Sequence, residues 1–320
     1  MRAIQVAEFG GPEVLRPVEV PDPVPGPGQV VVGMAAADVI LLDSMLRGGW
    51  GQEFFPRTLP YTPGGGGAGA VLATGDGVDP GWIGRRVVVR TGTGYAEHVV
   101  ADQSEIVPVP DGLSIETAAA LVHDGVTALN FDRLGGPAKG EWVLVLAAAG
   151  GAGSLLVQLA VDAGARVVAA ASSDRKRELA RDLGAEVVVD YTRPDWIAQV
   201  RKSTGGGAAL VYDGAGGRLG TAALEAVADG GTFLTYGTGD GFAAPDPDEA
   251  ARRDVRVLEP LRAGPPDQET VRELLTSALD RAAHGHLRPA ITATYPLERA
   301  ADAHRSLEAR TTVGKSLLLI

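Results

Sequence analysis

From Trp142 onward the chain alternates short apolar strands with amphipathic helices, and this alternation limits the fold more than any other feature. "WVLVL" at 142–146 is followed by "AAAGGAGSL" at 147–155, which runs into a helix expected over Ser154–Ala163, with Leu155, Leu156, Leu159 and Ala163 on one side. "ARVVAA", the helix "DRKRELARDLG", "AEVVVD", "AALVYD", a helix over Leu219–Ala228 and "GTFLTYG" continue the series. Strands joined through helices require right-handed crossovers, which build a parallel sheet covered on both faces. The expected class is therefore α/β, with a doubly wound parallel sheet.

The N-terminal part reads differently. Up to about Val109 it is rich in Pro and Gly, with short β-branched runs ("QVVVGM", "RRVVVR", "AEHVVA") and the rigid connector "PDPVPGPG" at 21–28. These are the marks of a second, mainly β domain with irregular loops. A helix over Glu269–Ala283 and the strand "SLLLI" close the chain. A length of 320 residues suits about two domains with sizeable cores.

The glycine-rich stretch lies between a buried strand and an amphipathic helix. Glycines there permit a tight turn, close approach of a diphosphate to the backbone, and close packing of helix on strand. The helix N-terminus adds unpaired N–H groups and a partial positive charge. A merely tight turn is the bland alternative, and the strand–turn–helix–strand setting disfavours it. About 20 residues beyond such glycines, an NAD site places an acid against the ribose hydroxyls. Here that region is "AASSDRKR". Ser172 and Lys176 suit a 2′-phosphate, so the expected cofactor is NADPH. Asp174 is expected to start the next helix, and Arg177 to be part of a solvated helix turn.

Composition narrows the remaining chemistry. The formal charge is −11 with no basic run, which disfavours nucleic acid. Cysteine is absent, removing disulfides, thiolate nucleophiles and sulfur-ligated zinc, and fitting a cytoplasmic setting. Glu8 stands where a secretion signal would need an apolar run. Trp142–Val161 carries no charge over a length able to span a bilayer, but its glycines, Ser154 and Gln158 favour a buried, soluble segment over a membrane span. A serine-hydrolase elbow is missing, and the "GKS" at 314–316 has Ala309 where a P-loop needs glycine. Among the histidines, His284 and His286 read as solvated surface residues. His98 reads as structural, and His123 as structural or close to the cleft.

Taken in order, "PVPGPGQVVV", "DSMLRGG", "PGGGGAGAV", "GYAEHVV", "GVTAL", "AAAGGAGSLLVQLA", "SSDRKRELARDLGA", "VYDGAGG", "TYGTGDG" and "YPLERAADAHRSLEARTTVGKSLLL" resemble the zinc-independent quinone oxidoreductase branch of the medium-chain dehydrogenase/reductase family. The resemblance runs along nearly the whole chain. It implies a Rossmann domain over 122–258 and a GroES-like domain built from 1–121 and 259–320. Mapped onto matching positions, Gly150, Gly151 and Ala152 would cradle the pyrophosphate, and Ser172, Lys176 and Tyr191 the 2′-phosphate. Thr127, Ala215, Tyr236, Gly237, Thr238 and Lys315 would lie toward the nicotinamide. It also implies a homodimer joined edge to edge, with "GTFLTYG" near that edge.

Two departures bear on activity. Ile40 stands where the family has a polar Asn, and Gly66 where it has Glu. Gly65 and Gly66 also replace the His-Glu pair used for zinc in related dehydrogenases, so no metal site is expected. A wider, more apolar pocket involving Ile40, Met45, Gly66 and His123 follows. Hydride transfer to a conjugated acceptor needs mainly placement in a dry cleft, because the charge develops on an oxygen some bonds away. The expected activity is NADPH-dependent reduction of a quinone or an α,β-unsaturated carbonyl, with Asp43 and Tyr61 as candidate proton donors. A lyase or cyclase with vestigial NADPH, or an NADPH sensor, is the alternative.

Overall fold

The computed structural model describes residues 1–320, which divide into two compact units. One comprises Met1–Val126 with Arg272–Ile320, the other Thr127–Val271. Both divisions fall inside helices, Asp124–Gly135 and Gln268–Ala283, rather than at the boundaries 121/122 and 258/259 expected from the sequence. No change of composition marks a boundary inside a helix, which is why the sequence placed both earlier.

The second unit holds a six-stranded parallel sheet. In spatial order its strands are Val187–Asp190, Arg166–Ala171, Trp142–Leu146, Ala208–Asp213, Val227–Thr235 and Arg256–Leu258. Leu144, Leu146, Val168, Val211 and Phe233 are buried among Trp196, Val200 and Leu224. Burying each such side chain stabilises by about 1.5–3 kcal/mol, which explains the unbroken apolar runs. The chain lays down Trp142–Leu146, moves outward twice, and returns to the other side with Ala208–Asp213. That reversal opens a crevice outside the carboxyl ends of the two strands, where such sheets bind ligands.

The apolar strand containing "GTFLTYG" lies next to the sheet edge, as expected: Arg256–Leu258 pairs along it, with Phe233 opposite Val257, and supplies the edge itself. The helix expected over 219–228 is Gly217–Ala223, because Val227 already begins the next strand. The uncharged stretch 142–161 is a strand, a turn and part of a helix, and no helix is long and apolar enough to cross a membrane.

The first unit is mainly β. Its largest sheet runs Ile291–Pro296, Lys315–Leu319, Gln29–Asp38, Gly66–Thr74, Arg86–Arg90 and Ile106–Pro108, with His98–Asp102 also paired to Gln29–Asp38. The C-terminal strand lies antiparallel to Gln29–Asp38, with Leu317 opposite Asp38, so both chain ends share one core. Ile4, Val30, Val32, Val87, Tyr95, Ile106 and Leu318 fill that core. The short helix Leu41–Arg47 follows the long strand.

Candidate functional site: a strand-end cradle and a separate pocket

In the parallel-sheet unit, the loops at the carboxyl ends of the strands carry most of the predicted cofactor residues. Ala147, the first residue after Trp142–Leu146, has φ +53°, a left-handed turn that a non-glycine residue adopts at a cost. The helix then begins at Gly151, earlier than expected, with Gly150 as an extended N-cap that offers no side chain to its N–H groups. Those groups stay open, the arrangement that receives an anion. A Cβ at Gly153 would collide with the Ala147 carbonyl, so glycine is required where helix and strand close up. Gly150, Gly151 and Ala152 thus form a backbone cradle that fits a pyrophosphate.

One strand over, Ser172 directly follows Arg166–Ala171. Ala171 pairs with Asp190, so Tyr191 emerges beside Ser172 at the neighbouring strand end. Ser173 accepts from the Lys176 N–H and caps the helix Asp174–Asp182, which puts Lys176 in its first turn. Asp174 starts that helix, is almost fully exposed and pairs with Arg177 at 2.5 Å. Arg177 itself corrects the sequence reading. Its side chain is only 14% exposed and bonds Asp190 at 3.0 Å and the Ala171 carbonyl at 3.3 Å, so it ties helix to sheet. Lys176 thus stands in the first turn of the helix that follows Ser172, with Tyr191 at the neighbouring strand end.

A third cluster depends on a residue the sequence reading did not single out. Asp213, fully buried, accepts from the N–H groups of Ala215 (2.9 Å) and Gly216 (3.0 Å) and from Thr235 Oγ1 (2.7 Å). Burial raises its pKa against the effect of these bonds. Its backbone carbonyl takes the N–H groups of Tyr236 and Gly237. A Cβ at Gly220 would strike this carboxylate, and one at Gly237 would strike Gly216. Asp213 therefore knits Ala215, Tyr236 and Gly237 into one backbone surface, with Thr238 next in the same loop. The Tyr236 ring packs on Phe131 at 4.8 Å. Thr127 is half-buried, in the helix Asp124–Gly135.

Within the mainly β unit, a pocket of about 140 Å³ is lined by Ile40, Asp43, Arg57, Tyr61, Arg90 and His123, among others. Ile40 and His123 line it as expected, but Met45 and Gly66 do not. On the helix Leu41–Arg47 it is Leu42 and Leu46 that face the pocket, and Gly65 rather than Gly66 reaches the wall. A Cβ at Gly65 would lie 2.6 Å from His123 Cε1, while one at Gly66 would collide with the Val89 carbonyl. The imidazole of His123 thus occupies space that a side chain at 65 would need.

Two buried networks back this pocket. His123 Nδ1 lies 2.9 Å from Asp38 Oδ2, and Lys315 bridges Asp38 and Asp124, at 2.7 Å from the latter. Burial alone would raise the Asp38 pKa, but Lys315 and His123 hold it below the ordinary value. Lys315 is 4% exposed with both carboxylates on its ammonium. In the second network, Asp43 accepts from the Ile40 N–H (3.4 Å) and from Tyr95 Oη (3.2 Å). Tyr95 Oη also meets His304 Nε2 at 3.0 Å, and Arg47 Nη1 meets His304 Nδ1 at 3.5 Å. The hydrogens balance if neutral His304 donates from Nε2 and accepts at Nδ1. Burial, then Arg47, lowers its pKa to about 3, consistent with that form. Burial, with some help from Asp38, pushes Asp43 up to about 6. The Tyr61 hydroxyl is buried without a hydrogen-bond partner, and burial raises its pKa as well.

Comparison with known proteins agrees with this assembly. The family model described as "Alcohol dehydrogenase GroES-like domain" matches residues 26–111, and "Zinc-binding dehydrogenase" matches 151–279. A probable quinone oxidoreductase of Schizosaccharomyces pombe is 32% identical over 99% of this chain and 96% of its own length. A mycobacterial protein solved with NADPH superposes with a TM-score of 0.90 at 36% identity, covering 100% of both chains. The Escherichia coli quinone oxidoreductase, also solved with NADPH, gives 0.91 at 27% identity over 100% of both. The fold is that of a Rossmann-like sheet with a GroES-like domain. The chain belongs to the medium-chain dehydrogenase/reductase family, in its zinc-independent quinone oxidoreductase branch. No group of three His, Asp or Glu side chains is arranged to hold a metal ion.

Proposed function

We propose that the protein is an NADPH-dependent reductase of quinones or α,β-unsaturated carbonyl compounds that works without zinc. The strand-end cradle supports this reading most directly: open helix N–H groups at Gly150–Ala152, with Ser172, Lys176 and Tyr191 at the adjacent strand ends. When bound, NADPH supplies a hydride to the β-carbon of an enone or to a quinone. The chain's own residues must then hold the acceptor, exclude water and return a proton to the oxygen that gains charge. The pocket offers Asp43, partly protonated near neutral pH, and Tyr61, a neutral phenol with an unused hydroxyl. Ile40, Leu42 and Leu46 give it a dry wall. The backbone of Ala215, Tyr236, Gly237 and Thr238, with Thr127, forms the proposed nicotinamide-side surface.

Loss of reduced-nicotinamide absorbance with a panel of quinones and enones tests this. Turnover with NADPH favoured over NADH is expected, and Ser172→Ala with Lys176→Ala should erode that preference by about tenfold. Tight NADPH binding with no oxidation across the panel would favour the lyase or sensor alternative. We also infer a cytoplasmic homodimer joined through the sheet edge Arg256–Leu258, the edge strand next to Val227–Thr235.

A further inference from the structure

The pocket of the mainly β unit carries two cations, Arg57 and Arg90, that no acid pairs with. Arg90 ends the strand Arg86–Arg90 and turns its side chain into the pocket wall, where its guanidinium has neither an ion pair nor a hydrogen bond. Burial lowers its pKa, and distant Asp38 offsets this only in part. Other arginines drawn into the interior are treated differently. Arg47 meets Glu308, Arg86 binds the carbonyls of Leu113 and Pro110, Arg177 meets Asp190, and Arg253 meets Asp229. A half-buried guanidinium without a partner is costly unless something else supplies the anion.

Arg57 adds a second positive charge. Its guanidinium carbon lies 5.9 Å from the centre of the Tyr61 ring, and its side chain bonds only the carbonyl of its neighbour Pro56, at 3.3 Å. The acids nearby do not compensate. Asp43 already serves the Ile40 N–H and Tyr95, and Asp38 is taken by Lys315 and His123. A chain of net charge −11 thus places two guanidinium groups without ion pairs at one pocket, with an unpartnered phenol in its wall. A carboxylate is complementary: it accepts two parallel N–H bonds from a guanidinium and a third from a hydroxyl.

Resting on the reductase reading above, we propose that this pocket binds the carboxylate of an enone acid, with Arg90 as the principal contact and Arg57 and Tyr61 as its supports. The favoured acceptors are then small α,β-unsaturated carbonyl compounds with a negative charge close to the reacting carbons, rather than neutral quinones. Hydride forms the new C–H bond at the β-carbon, the carbon–carbon double bond shifts to the enolate, and a proton completes the saturated keto acid. The carboxylate itself is unchanged.

The experiment compares trans-4-oxo-2-pentenoate with its uncharged amide, using the full-length protein and NADPH. The acid should be preferred by about tenfold or more in kcat/KM, mainly through KM. Arg90→Met should reduce that preference by about tenfold, and Arg57→Met should reduce it by less. Equal use of acid and amide by the native protein, or an unchanged preference in Arg90→Met, overturns the proposal. Calorimetric binding of saturated 4-oxopentanoate separates this from the reductase reading. Binding that Arg90→Met abolishes supports the carboxylate site even if no acceptor is turned over. Binding that both arginine variants retain, or that inorganic phosphate matches, rejects it.

Discussion

Asp43 is held at about 6 by burial, against 3.8 for an unperturbed aspartate. The folded state therefore binds this proton more tightly than the unfolded chain does. The stabilisation from the group is complete below about pH 4 and is lost as the pH rises through 6. Asn at this position keeps an acceptor for the Ile40 N–H and Tyr95 but never ionises. Asp43→Asn should gain about 2–3 kcal/mol of stability at pH 8 and almost nothing at pH 4, read from denaturant unfolding at each pH. A gain equal at both would mean that Asp43 is not desolvated in the folded protein. Lys315 predicts the opposite sign. Lys315→Met leaves Asp38 and Asp124 facing each other without a cation and should cost about 3–5 kcal/mol by urea unfolding. These residues also mark the limit of legibility at this scale. Ser172 and Lys176 could be read because strand, turn and helix sit together in the sequence. Tyr95 and His304 lie 209 positions apart, and no local pattern announces that they meet.

Among the elements, the turn at 147–153 shows what the chain reveals and what it hides. Strand, glycines and helix were all legible from the switch between unbroken apolar residues and helical spacing. The start of the helix was not. Its first residue is Gly151 rather than Ser154, because extended Gly150 can cap the helix with backbone alone. Nor could the sequence reveal that Ala147, an ordinary helix-former, adopts φ +53°. Ala147→Gly should relieve that conformation and leave the protein as stable or up to about 1 kcal/mol more so. Gly153→Ala should do the reverse, since its Cβ meets the Ala147 carbonyl, an atom of the backbone rather than a movable side chain. The helix must then retreat from the strand and carry its open N–H groups away from the phosphates. The expected result is NADPH affinity weakened by at least about tenfold, measured by fluorescence titration, with the parallel sheet still folded. Unchanged affinity would show that the cradle lies elsewhere.

At the scale of the molecule, the division into a parallel-sheet unit and a mainly β unit was readable because two textures of sequence follow one another. Its boundaries were hidden inside continuous helices, and the second pocket was hidden because Asp43, Arg57, Arg90 and His123 come from separate segments. The strand that forms the sheet edge was hidden for a related reason. Arg256–Leu258 is a strand of three residues, too short to stand out, yet it covers the long apolar strand Val227–Thr235. An edge this short, with Val257 and Leu258 half-exposed, leaves N–H and C=O groups ready to pair with a second copy of the chain. The opposite edge, Val187–Asp190, is anchored by the Arg177–Asp190 ion pair and ends beside the proposed phosphate site, so pairing there would compete with the cofactor. The Arg256–Leu258 edge is therefore the contact we propose for a dimer. Leu258→Lys places a charge on that edge without entering the buried cluster around Phe233. Sedimentation should show the native chain as a dimer and the variant as a monomer that still binds NADPH. A variant that remains dimeric at the same concentration would move the contact to another surface.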